Sequence, residues 1–172
     1  MRVLLYEWCV SGGLTGPDAP VLVPPHASAA DLEPLAREGR AMLLALLHDG
    51  LRAGHLELHA IVDATRPIAL PAGVQVHEVA AREELRALAA AACRCDAAII
   101  VAPETGGILA GRVAIARAAG ADVIACGPAF LAMAADKQAT ILALAAAGVP
   151  VPAGRRLEAG AAWPEAFLRP AV

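Results

Sequence analysis

A rhythm of short apolar runs, mostly alternating with helix-length segments, leaves few folds open to this chain. Residues 2–7 are nearly all apolar, as in a strand buried on both faces of a parallel sheet. Leu56 to Asp63 and Val74 to Val79 read as further strands, separated by Pro67, Pro71 and Gly73. Asp96 to Ala102 is the clearest buried strand, and Asp122 to Cys126 is a fifth. Between them lie helical patterns. Asp31 is expected to cap a helix reaching about Gly54, with Leu32, Leu35, Met42, Leu43, Leu46 and Leu47 as its apolar stripe. Glu83 to Cys93 carries Leu85, Leu88 and Ala92 on one face, and a helix over about 108–119 is closed by Gly120. Two short helices, 129–134 and 137–147, come last. Strands alternating with helices in this order predict an open, mostly parallel α/β sheet.

Such a sheet needs a large apolar supply, and 58% of the 172 residues are hydrophobic against 18% charged. That is enough for one sizeable core and argues against disorder. A net charge of −3, scattered basic residues and 3% aromatics exclude a cationic, stacking nucleic-acid surface. No apolar run is long enough to span a bilayer, and Glu7 interrupts any signal-peptide core, so a cytoplasmic protein is expected. Exposed apolar surface in so Ala-rich a chain makes a homodimer plausible. The four cysteines show no paired CxxC spacing and read as reduced thiols. His55 and His59 fall on a turn and a strand, where a spacing of four makes no helical chelate, so no metal site is expected.

Open parallel sheets bind ligands beyond the carboxyl ends of their strands. The polar and Gly-rich features gather there: Glu7 with Ser11-Gly12-Gly13, Asp63, Glu104 with Gly106-Gly107, and Cys126-Gly127. A carboxylate ending a buried strand is costly without a backbone amide, a cation or a ligand amine beside it, which singles out Glu7. Glu104 follows the same logic, although Glu at a helix start is also ordinary because of the dipole. Ser11-Gly12-Gly13 lacks the G-x-G-x-x-G spacing, and the glycines alone fit a turn needing positive φ. No His–Asp pattern accompanies Ser11, so no catalytic nucleophile is expected.

Lys137 is the only lysine among 14 Lys and Arg residues. Asp136 is a good N-cap, which puts Lys137 in a first helical turn, where the dipole disfavours a cation. A phosphate there would suit both the ammonium and the helix N-terminus. The plain alternative is a capped surface helix with one solvated lysine.

Three pieces, in order, carry a resemblance. Leu4-Leu5-Tyr6-Glu7-Trp8 with Ser11-Gly12-Gly13 resembles the start of ATP-grasp ligases of the tyramine–glutamate ligase type, from methanofuran and methylofuran biosynthesis. Val101-Ala102-Pro103-Glu104-Thr105-Gly106-Gly107-Ile108-Leu109 is similar to their central strand and loop. Asp136-Lys137-Gln138-Ala139-Thr140 with Gly148-Val149-Pro150-Val151-Pro152 resembles the Asp-Lys segment shared across the ATP-grasp superfamily.

The resemblance implies a Rossmann-like, three-layer pre-ATP-grasp domain over 1–134. Residues 135–172 would then be an Asp-Lys helix and linker towards an ATP-grasp domain that this sequence does not contain. It implies an ADP-forming ligase that joins an acid and an amine through an acyl phosphate, with ATP and Mg held mainly by the missing half, on the same or a partner chain. Lys137 would contact ATP phosphate. Glu7, Ser11, Gly12, Gly13 and Glu104 would line the substrate end of the cleft, and the chain alone would be inactive. The competing reading is a non-catalytic α/β domain, flavodoxin-like in outline, that binds a small metabolite or a protein partner.

Overall fold

A computed structural model describes residues 1–24, 26–80 and 82–154. Five strands, β1 (Arg2–Glu7), β2 (Glu57–Asp63), β3 (Val74–Val79), β4 (Ala97–Val101) and β5 (Asp122–Val123), form one sheet in the order β3-β2-β1-β4-β5. Every pairing is parallel, so the expected mostly parallel sheet is wholly so. The helices are α1 (Ala29–Arg52), α2 (Glu84–Ala92), α3 (Ile108–Ala118), α4 (Pro128–Ala135) and α5 (Lys137–Ala146). None of them singly is long and apolar enough to cross a membrane.

Strand alternation splits the core in two. Val3 and Leu5 of β1 join Leu58, Ala60 and Val62 of β2 beneath Leu43 and Leu47 of α1. Leu4 and Tyr6 turn the other way and join Ile61, Ala98, Leu88 of α2 and Val113 of α3. A sheet with helices on both faces is the three-layer α/β arrangement. The chain leaves β1 for β2 in one direction and later runs from β4 to β5 in the other. The reversal lies between β1 and β4, where such sheets open a crevice.

Two details of α1 differ from the sequence reading. Ser28, not Asp31, caps α1: its hydroxyl takes the Asp31 N–H while the Asp31 carboxylate takes the Ser28 N–H, a reciprocal capping box. The buried stripe is Ala36, Gly39, Leu43 and Leu47, while Leu35 and Met42 stay 40% and 39% exposed. Small residues, Ala36 and Gly39, are buried in the first half of the helix, and Leu43 and Leu47 fill the contact with the sheet in the second. The chain forms two compact units, Met1–Leu131 and a second from Ala132 onward. In the second, Asp136 caps α5 by accepting the Gln138 and Ala139 N–H groups at 3.0 and 3.1 Å.

Candidate functional site

The crevice between β1 and β4 holds a cleft of about 220 Å³ lined by Glu7, Cys9, Val101, Ala102 and Pro103 from the sheet side. Helix α1 supplies the opposite wall with Leu35, Glu38, Gly39 and Met42. Glu7 shares its face with Val3 and Leu5, so it points at α1, and it is 2% exposed. Its Oε2 accepts the Val10 N–H at 2.9 Å. The chain can turn back to present that amide because Ser11 N–H donates to the Glu7 carbonyl and Trp8 N–H to the Val101 carbonyl.

Burial raises the Glu7 pKa above the ordinary carboxylate value, with the Val10 and Cys9 hydrogen bonds pulling the other way and Glu38 adding repulsion. Burial first, then Glu7, pushes the Cys9 thiol up to about 12, so it is a protonated wall and not a nucleophile. Among the described residues, the cleft is therefore an apolar slot with two carboxyl groups and no cationic lining side chain.

The remaining expected site residues lie elsewhere. Ser11 is fully buried, and its hydroxyl donates to the Ile61 carbonyl at 3.0 Å. Gly12 rests over Val79 and Glu84. Gly13 lies flat on the Trp8 indole, where a Cβ would come within 2.3 Å of the ring. These three shape the loop after β1 and do not line the cleft, so for them turn geometry and close packing explain the sequence. Glu104 is exposed and precedes the 3-10 turn Thr105–Gly107. Lys137 is exposed at the start of α5, its ammonium donating to the Ala134 carbonyl at 3.3 Å. The amides that a phosphate at this helix start would use are already given to Asp136, so the expected amide seat is filled from within.

Sequence reasoning missed a buried ionic cluster on the other face. Glu84 of α2 accepts Arg112 Nε and Nη2 at 3.0 and 2.6 Å, and the Tyr6 hydroxyl donates to the same carboxylate. Arg112 also donates to Asp18, in the loop after β1. Burial, followed by the Glu84 charge, drives the Tyr6 hydroxyl well above its ordinary pKa. Asp63 is likewise turned inward, accepting from Thr15 and Thr65. These partners satisfy the buried charges and tie the loop after β1 to β1, α2 and α3.

Residues 57–129 match the pre ATP-grasp 3 domain. The match supports an N-terminal domain of an ATP-grasp enzyme, with the Rossmann-like α/β fold described above. It takes in β2 to the start of α4, and so includes Glu104 but neither Glu7 nor Lys137. No curated protein and no solved structure matches the chain.

Proposed function

We propose that this chain is the substrate-binding front part of an ATP-dependent carboxylate–amine ligase, and that its cleft receives the amine. The observation that carries the reading is that buried Glu7 and Glu38 both line an apolar slot at the switch point, with no lining cation among the described residues. An ammonium ion would neutralise Glu7, while the Leu35, Met42 and Pro103 walls would cover an apolar body such as that of tyramine. Among the described lining residues, none offers a counter-charge for a carboxylate on the same ligand.

ATP with magnesium supplies the phosphoryl group that activates the acid. Among the described residues no cluster of His, Cys, Asp or Glu is arranged for a metal ion, and what this chain contributes is derived from its own side chains. Glu7 orients the ammonium and, with its raised pKa, accepts the proton the amine must lose before its nitrogen attacks the activated carbonyl carbon. The nitrogen–carbon bond forms as the carbon–oxygen bond to phosphate breaks. Lys137 is the chain's candidate contact to ATP phosphate oxygens, acting as a point charge.

The test is calorimetric titration of the chain with tyramine in buffers of different ionisation enthalpy. Near pH 4.5, where the raised pKa leaves Glu7 largely protonated, binding should release protons, because a cation beside Glu7 favours its charged form. Glu7→Gln should abolish both the release and most of the affinity. Equal binding by Glu7→Gln would remove the amine reading and favour a different ligand for the cleft.

A further inference from the structure

Glycine inside a helix is disfavoured relative to alanine, and this Ala-rich chain nevertheless has Gly39 in the body of α1. A Cβ at Gly39 would lie 2.3 Å from Glu7 Oε2, 2.6 Å from its Cδ and 2.8 Å from Oε1. All three nearest atoms belong to one carboxyl group, and real Cβ atoms essentially never approach so closely. Gly50, further along α1, makes a different contact: its Cβ would meet the methyl ends of Leu58 at 2.9 and 3.0 Å, apolar atoms with no hydrogen bond to lose. The Glu7 carboxyl does have one. It is held on one side by the Val10 amide and is buried under the helix.

The geometry points to Gly39 as the positioning residue of Glu7: bare helix backbone forms the back wall of the carboxyl seat. A methyl group there pushes the carboxyl away from Val10 and into the cleft that both residues line. Glu7 would then occupy ligand space instead of facing it. The consequence for amine binding rests on the proposed function; the seat itself does not.

A stability cycle in the full chain separates the two. Gly39→Ala should lower Tm in the wild-type background. With Glu7→Ala it should leave Tm unchanged or raise it, since the clash is gone and alanine favours the helix. Glu7→Gln keeps the shape without the charge, so Gly39→Ala should still lower Tm there. The Val10 amide should exchange with solvent about tenfold faster in Gly39→Ala, through loss of its acceptor. An equal Tm loss with and without the Glu7 side chain overturns the proposal. So does an unchanged Val10 exchange rate, which decides the matter even if Glu7→Ala does not fold. Tyramine, the probe for the cleft, should bind more weakly to Gly39→Ala. If it binds no variant while the stability cycle and Val10 behave as stated, the amine reading fails and the role of Gly39 stands.

Discussion

Glu7 holds its proton to a higher pH than an ordinary glutamate, because burial penalises the charge more than the surrounding amides relieve it. The folded chain then binds that proton more readily than the unfolded one. Stability from this group is fully present below the ordinary value of 4.5 and is lost as pH rises through the folded value. Glu7→Gln removes the charge and keeps an oxygen for the Val10 N–H. Denaturant midpoints should therefore place it above wild type at neutral pH, with a flatter pH profile. The importance of Glu7 was legible in the sequence, since a carboxylate ending an apolar strand needs a local partner. Gly39 was not, because its reason lies 32 positions earlier in the chain (39 − 7). Glu84 went unnoticed for a related cause, since only the fold brings Arg112 to it.

Between elements, the Glu84–Arg112 pair joins α2 to α3, and through Tyr6 and Asp18 it reaches β1 and the loop beyond. Arg112→Ala leaves the Glu84 carboxylate buried without its cation. That should cost about 3–5 kcal/mol, read as a denaturant midpoint shift, whereas replacing both partners by leucine should cost clearly less. The outer strand β3 has a different fastening. His59 of β2 and His77 of β3 stack with centroids 5.2 Å apart and share a hydrogen bond of 2.9 Å, with Glu57 beside His59. Burial first, then His59 and Arg94, lowers the His77 pKa. The unfolded chain then takes up that proton more readily, so stability should rise with pH between the folded value and the ordinary 6.5. His77→Gln should flatten the midpoint profile in that window. Strand positions were readable from apolar runs, but this pairing depended on parallel register between β2 and β3. The last strand was over-read. Asp122 to Cys126 has a strand's composition, yet β5 keeps two residues, paired only with Ala97 and Ala98.

For the whole molecule, alternating elements sufficed to read an open, mostly parallel α/β sheet and to look for a cleft beyond its strand ends. What composition could not supply was which polar residues turn inward there: the Ser11 hydroxyl donates to the Ile61 carbonyl and Asp63 accepts from Thr65. The contribution of Lys137 belongs to the complete ligase proposed above. There, Lys137→Ala and Lys137→Arg should each weaken ATP binding about tenfold or more, because a fork does not replace a point charge on phosphate. Unchanged ATP affinity in both would assign the lysine to the surface. The strand order also sets a schedule. β1 is made first yet lies in the middle, and its neighbours begin at Glu57 and Ala97. During synthesis its apolar edge towards β4 must wait for about 90 residues of later chain, at roughly 5–20 residues per second. Until then an unpaired, aggregation-prone strand is on offer, and the cleft, whose sheet side needs Val101 of β4, is incomplete.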